Sequence, residues 1–381
     1  MKTYDAVVIG AGPAGLGAAV EIAKAGGTTL LIDENERPGG QLFKQIHKFF
    51  GSKEHYAGTR GYEIGQMLLR EAEEARVDIR LNTRVWGIFP DRTVVATDDN
   101  RSFSCRGRTI ILATGASENA LSFPGSTLPG VMTAGAAQTV ANLYHVLPGK
   151  RILMVGSGNV GVIVAYQLLQ AGARIEAVID VTDQVTGYEV HARKIKRAGV
   201  PVLLRTTIKE AWGDKEVEGA ILHRVDDHFK PIPGTEWRIQ ADTICLAVGL
   251  TPRLELAAIS GCASAYNPVL GGMLPLHTTT MQTLQEGIFV AGDLAGIEEA
   301  STALDEGRVA GLQAALDLGL GETDTLEDLL RQGQERLTSL RQGPFGEHRQ
   351  RAKECIWQLA SERNHRPAST IINDGGKERK A

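Results

Sequence analysis

The chain has 381 residues, enough for two or three domains. Apolar residues make up 43%, and 41 lysines and arginines nearly balance 45 aspartates and glutamates, for a net charge of −4. That balance gives no argument for a nucleic acid or membrane-surface partner. No apolar stretch approaches the roughly 18 residues a membrane span needs. No leader precedes the first strand, which starts at about Tyr4, so a cytoplasmic location is expected. The four cysteines (Cys105, Cys245, Cys262 and Cys355) form no C-x-x-C pair. This argues against a disulfide framework, a local metal knuckle and a local redox dithiol, and no metal is expected.

Residues 5–9 read as a buried parallel strand leading into Gly10-Ala11-Gly12-Pro13-Ala14-Gly15. A helix over 16–25 and a strand over 29–32, ending at Asp33, complete a βαβ unit. An aromatic loop over 43–60 carries His47, Phe49, Phe50 and His55. A helix over 62–76 follows, then strands near 79–81, 85–89, 93–97 and 109–113. Pro124, Gly125, Pro129 and Gly130 punctuate a connector. A second unit repeats the pattern: strand 151–155, Gly156-Ser157-Gly158-Asn159-Val160-Gly161, helix 160–170, and strand 174–179 ending at Asp180. Strands are expected near 202–204, 220–225 and 243–248, and again at 287–291. Helices are expected over 301–318, 326–340 and 347–361. Residues 363–381 are polar and read as a disordered tail.

Both glycine loops have the spacing that nucleotide phosphates require. The first glycine permits the tight turn, the second lets the backbone approach a pyrophosphate, and the third lets helix and strand pack closely. The helix N-terminus adds N–H groups and partial positive charge. Asp33 is placed to bond a ribose hydroxyl, with Glu34 as its neighbouring competitor. Asp180 has the same place in the second unit, where a carboxylate accepts from a free 2′-hydroxyl and repels a 2′-phosphate. NAD(H) is therefore expected over its phosphorylated form. Two dinucleotides in one chain point to electron transfer, hence an oxidoreductase.

With these motifs the chain resembles the two-dinucleotide-domain flavoproteins, the superfamily of thioredoxin reductase and glutathione reductase. Pro38-Gly39-Gly40-Gln41 is similar to that family's flavin-contacting turn. Ala113-Thr114-Gly115 resembles its alanine-threonine-glycine motif. Residues 246–252, with Gly249, resemble the matching motif of the second domain, and Gly292-Asp293 resembles the second FAD motif. The resemblance implies FAD in the first domain, with the Val85 backbone near the adenine and Asp293 on the ribityl chain. It also implies a helix starting at Ala300, Ser301 and Thr302 that points at the flavin. The implied fold is α/β, with two doubly wound Rossmann-like dinucleotide domains. The FAD-binding domain would be discontinuous (1–122 and 265–320), the NAD(H)-binding domain would cover 123–264, and a helical extension 321–362.

The stretches where those families keep a redox dithiol, residues 131–137 and 41–47, hold no cysteine. Disulfide reduction is therefore not expected, and no side chain is assigned as a catalytic acid or base. Residues 130–138, 187–191 and 197–201 resemble signature stretches of the α subunits of amine and amino acid dehydrogenase complexes. These include sarcosine oxidase, dye-linked proline dehydrogenase, opine oxidase and hydrogen cyanide synthase. This resemblance implies an α-like subunit with a second flavoprotein subunit as partner. The alternatives are a free-standing, homo-oligomeric NADH-dependent flavin reductase with a small-molecule acceptor, or a non-catalytic scaffold. His47 and His55 read as surface or packing residues, with a substrate or partner channel as the alternative. His191 lies either near the second nucleotide or on a helix surface. The basic run Arg193, Lys194, Lys196 and Arg197 reads as a solvated helix face.

Overall fold

The computed structural model describes residues 1–49 and 52–364, the side chains of residues 344 and 345 excepted. The chain forms two compact units, one of residues 1–117 with 251–381 and one of residues 118–250.

The first unit opens with β1 (Lys2–Ile9), α1 (Pro13–Lys24), β2 (Thr29–Ile32), α2 (Gly61–Glu74), β3 (Asp78–Arg80), β4 (Arg84–Ile88), β5 (Thr93–Thr97), β6 (Ser102–Leu112) and the short β7 (Ala116–Glu118). Its sheet runs β3-β2-β1-β6-β5-β4. β1, β2, β3 and β6 are parallel, while β4, β5 and β6 form an antiparallel meander. The central runs Val7-Val8-Ile9 and Leu30-Leu31-Ile32 are buried throughout, as parallel strands covered on both faces must be. β6 begins seven residues earlier than its apolar end suggests. Its first half alternates outward-facing polar residues with Cys105 and Gly107, and pairs with the meander.

The second unit contains β8 (Val131–Thr133), α3 (Ala134–Leu143), β9 (Arg151–Val155), α4 (Asn159–Gln170), β10 (Arg174–Ile179), α5 (Glu189–Arg197), β11 (Val202–Leu203), β12 (Thr206–Trp212), β13 (Gly219–Arg224), β14 (Trp237–Gln240) and β15 (Thr243–Leu246). A parallel sheet runs β11-β10-β9-β15-β8, and β12, β13 and β14 form an antiparallel sheet of their own. Sequence reading finds neither β12 nor β14. Their outward faces are polar, and they pair only with β13 between them.

The chain returns to the first unit through β16 (Leu250–Pro252), α6 (Glu255–Ile259), β17 (Ser264–Asn267), β18 (Gly272–Pro275), β19 (Ile288–Val290), α7 (Ala300–Asp317), α8 (Thr323–Leu340) and α9 (Gly343–Asn364). The units divide earlier than the expected cuts at 122 and 265. Residues 251–264 group with the first unit, where Ala257 and Cys262 are buried in its core. The residues expected as an extension group with it as well. Of the expected tail, Arg363 and Asn364 end α9, and residues 365–381 lie outside the described residues. Among the described residues no helix is long and apolar enough to cross a membrane.

Candidate nucleotide-binding sites

Four strands of the first unit end in register. Ile9 pairs with Ile32 and Leu112, and Leu112 pairs with Val290. The chain therefore leaves the sheet at one edge through Gly10, Asp33, Ala113 and Ala291, which is where open α/β sheets bind ligands.

Gly10 turns with φ at 105°, and a Cβ there would fall 2.2 Å from the Ala113 carbonyl oxygen. A Cβ on Gly15 would fall 1.7 Å from the Gly10 oxygen, so α1 sits directly on the turn. Gly12 is different. The nearest atom to a Cβ there is Gly40 Cα at 3.9 Å, leaving one side of the loop open. No side chain caps Pro13, Ala14 and Gly15 at the start of α1. Its orphan N–H groups and partial positive charge suit an anionic pyrophosphate. The turn holding Gly40 and the exposed Gln41 lies against this loop, with the Gly39 N–H donating to Ala11 O at 2.6 Å.

The structure separates the two candidate acids. Asp33 is buried, and its Oδ2 accepts from the Ala11 N–H at 2.6 Å. Its Oδ1 accepts from the Asn35 N–H at 2.7 Å and from Asn35 Nδ2 at 2.8 Å. Glu34 is exposed, with Arg253 at 2.7 Å and Arg84 at 3.3 Å. The Arg253 hydrogen bond, joined by Arg84, holds the Glu34 carboxyl below its usual range despite partial burial. The Thr83 N–H bonds Asp33 O, which brings the start of β4, with Val85, to the same strand end. Beyond β6, Thr114 Oγ1 donates to Arg253 O at 3.0 Å, and Gly115 O accepts the Arg253 N–H.

At the end of β19 the Gly292 N–H donates to Glu306 Oε2 at 3.0 Å. Asp293 is half-buried. Burial first, then Glu306, Glu299 and Glu298, push its pKa up to about 7. No side chain caps α7, which begins at Ala300, Ser301 and Thr302. Two glycines dock α7 onto α1: a Cβ on Gly307 would fall 2.0 Å from Ala14 O, and one on Gly311 would fall 2.5 Å from Ala18 O. Pro13, Ala300 and Ser301 consequently line one small cavity.

The second unit repeats the arrangement. Val155 pairs with Ile179 and Leu246, so Gly156, Asp180 and Ala247 leave the sheet together. A Cβ on Gly156 would fall 2.2 Å from Ala247 O, and one on Gly161 would fall 2.1 Å from Gly156 O. Gly158 again has an open side, its nearest neighbour being Thr186 Oγ1 at 3.8 Å. No side chain caps the start of α4 at Asn159, Val160 and Gly161. Gly249 turns with φ at 106°, and its carbonyl oxygen accepts the Asn119 N–H.

Asp180 is held more tightly than Asp33. Its Oδ2 accepts from Ser157 N–H and Oγ–H, each at 2.7 Å. Its Oδ1 accepts from Thr182 N–H at 3.0 Å and Oγ1 at 2.8 Å. Burial opposes ionisation, but the Ser157 and Thr182 donors outweigh it and lower the Asp180 pKa. The fold also brings Arg205 to this strand end: its N–H bonds Thr182 O, and its guanidinium pairs with Asp227 and Asp183. Sequence spacing alone places no arginine nearby.

His55, read as a surface or packing residue, is 5% exposed and hydrogen-bonded to Asp305. His47 stacks on Phe49. His191 is on the buried face of α5, while Arg193, Lys194, Lys196 and Arg197 form its exposed face. Sequence reading misses Asp305, Glu306, Arg341 and Lys353, all of which are buried. The one signal for them is an adjacent acidic pair inside the otherwise small and apolar run of α7.

The pyridine nucleotide-disulphide oxidoreductase profile matches residues 4–307. An opine oxidase subunit of Rhizobium meliloti (strain 1021) is 30% identical over 340 residues, covering 84% of this chain and 72% of that protein. Hydrogen cyanide synthase subunit HcnB of Pseudomonas aeruginosa is 30% identical over 335 residues, covering 81% of this chain and 70% of that one. The T. acidophilum thioredoxin reductase structure superposes with a TM-score of 0.67 at 21% identity, covering 83% of this chain and 99% of that one. The doubly wound, two-loop fold and these likenesses agree: the chain belongs to the pyridine nucleotide-disulphide oxidoreductase family and is an oxidoreductase of its FAD- and nicotinamide-nucleotide-binding type.

Proposed function

We propose that the first unit holds FAD, that the second takes NAD(H), and that the chain is the α-like subunit of an amine or amino acid dehydrogenase complex. The observation that carries the flavin assignment is the shared edge of the first unit. Gly10, Asp33, Ala113 and Gly292 meet where the uncapped starts of α1 and α7 supply N–H donors. Bound FAD would supply the electron-transfer chemistry. The residues' part is to bind and orient it. The first turn of α1 faces the pyrophosphate, Glu34 is the exposed ribose acceptor beside Asp33, and Asp293 meets the ribityl chain. The positive end of α7, at Ala300, Ser301 and Thr302, stabilises negative charge on the bound group.

Two facts support the subunit reading. The opine oxidase and hydrogen cyanide synthase relatives are both named as subunits, and residues 131–137 form β8 and the start of α3 with no thiol to relay electrons to a disulfide. A second flavoprotein subunit is the partner this implies. A second reading, a free-standing NADH-dependent flavin reductase, draws on the open side at Gly158 and the uncapped start of α4. An anaerobic visible spectrum before and after NADH separates them. A flavin band that NADH leaves unbleached, with a second flavoprotein co-purifying, is the outcome expected for the subunit. Bleaching within seconds in the isolated chain would establish the reductase instead, and a chain without flavin would overturn both.

A further inference from the structure

The nucleotide sites leave one polar constellation of the first unit unused. Ser52 Oγ lies 2.8 Å from His55 Nδ1, and His55 Nε2 lies 2.8 Å from Asp305 Oδ2. Asp305 has no exposed surface, His55 is nearly enclosed, and Ser52 is exposed. Asp305 lies four residues after Ser301, on the same face of α7. His55 itself lines the cavity formed by Pro13, Ala300 and Ser301 at the first turns of α1 and α7.

Two cations gather on the Asp305 partner of His55. Arg308 on α7 and Arg336 on α8 each approach Asp305 to 3.2 Å. Burial alone would raise the Asp305 carboxyl, but the His55 hydrogen bond and the two guanidinium groups outweigh it and keep the carboxyl below its usual range. Tyr56, Glu21 on α1 and Glu71 on α2 complete the group, and burial raises both Tyr56 and Glu21. An ionised Asp305 only accepts, so the neutral imidazole carries its proton on Nε2 and offers Nδ1 to the Ser52 hydroxyl. Nδ1 is thus a base whose bonded neighbour opens to solvent.

We propose that Ser52, His55 and Asp305 form a redox-linked proton acceptor serving the cavity between the starts of α1 and α7. The proposal rests on the flavin reading given above. When an electron pair adds negative charge at that cavity, His55 Nδ1 takes a proton from Ser52 Oγ, and Ser52 recovers one from solvent water. One proton enters per imidazole, and no covalent bond to carbon forms or breaks. The electrons are those of the oxidoreductase reaction itself.

The test uses the flavin-loaded protein with isotope-labelled histidine, titrated by NMR in the oxidised state and after anaerobic reduction with dithionite. The expected result is a His55 protonation midpoint at least about one pH unit higher on reduction, tenfold in proton affinity. Asp305→Asn should lower that midpoint in both states. His55→Gln should remove its inflection from the pH dependence of the flavin midpoint potential. A His55 midpoint unchanged by reduction overturns the proposal while leaving the flavin reading intact. A purified chain with no flavin band overturns both.

Discussion

Lys353→Met tests whether the C-terminal helices hold up the second FAD-motif turn. Lys353 has no exposed surface, and its Nζ lies 2.6 Å from Glu306 Oε1 and 2.9 Å from Ala295 O. Arg341, also buried, contacts the same Glu306 oxygen at 2.6 Å and pairs with Glu298. The other Glu306 oxygen holds the Gly292 N–H. Methionine keeps the length of the stem and removes the charge, leaving two buried carboxylates to share one guanidinium. Removing one partner of a buried pair costs about 3–5 kcal/mol, and the surviving Arg341 places this case near about 3. A unit of this size shifts by about 2–4 °C per kcal/mol, so the melting temperature should fall by about 6–12 °C. Adding Glu306→Gln should recover most of that loss, because neutralising both members of a buried pair is often harmless. Thermal melts of the three proteins, each with and without FAD, make the comparison. A Lys353→Met protein that melts within about 2 °C of the parent, a loss under about 1 kcal/mol, would refute the assigned role.

Further outcomes are expected. In flavin-free melts, Asp293→Asn should gain on the parent as pH rises from about 4 to 7, by up to about 4 kcal/mol. The raised Asp293 pKa (about 7) makes the folded parent hold its proton longer than the unfolded chain, so the parent loses stability across that window. His277→Gln should gain on the parent as pH falls from 6.5 towards 3, because burial, with Lys353 and Arg341, depresses the His277 pKa to about 3 and the parent loses stability there; parallel curves would contradict either assignment. Gly12→Ala should fold normally yet lose FAD, since its Cβ meets nothing closer than 3.9 Å, whereas Gly10→Ala should damage folding itself; equal melting losses would show that the open side of the loop is not a ligand site. A thiol reagent should modify the exposed Cys355 and spare Cys245 in the native protein, because burial pushes the Cys245 thiol up to about 12; rapid labelling of Cys245 would count against the packed second core.

The strand ends that carry the glycine loops were legible because they are local. A β-branched strand, a glycine spacing and an acidic strand end sit within about thirty residues, and each constrains the next through backbone sterics. β2, β5, β9 and β10 match the sequence reading residue for residue. What escaped was long-range and polar. Lys353 lies 47 positions from its partner Glu306, and His55 lies 250 from Asp305. Nothing in local periodicity says that a lysine in a mostly polar helix will be buried. The alternating first half of β6 and the polar faces of β12 and β14 were equally quiet, because edge and meander strands carry little apolar signal.

The two units also show why matching motifs need not mean matching affinity. Each acidic strand end bonds its own glycine loop, Asp33 to Ala11 and Asp180 to Ser157. In the first unit Asp33 accepts three donors, the Ala11 N–H and the N–H and side-chain amide of Asn35, and the exposed Glu34 stands beside it as a further acceptor. In the second, Ser157 and Thr182 each bring a hydroxyl as well as an N–H, and the residue after Asp180 is Val181. A carboxylate has about four lone-pair sites, so a ribose hydroxyl at Asp180 must compete with donors the protein already supplies. A hydroxyl that replaces an existing hydrogen bond gains far less than one that fills a vacancy. On these grounds the second unit should bind its nucleotide more weakly and exchange it more readily than the first. That asymmetry agrees with the proposal of a resident flavin in the first unit and an exchanging nicotinamide nucleotide in the second.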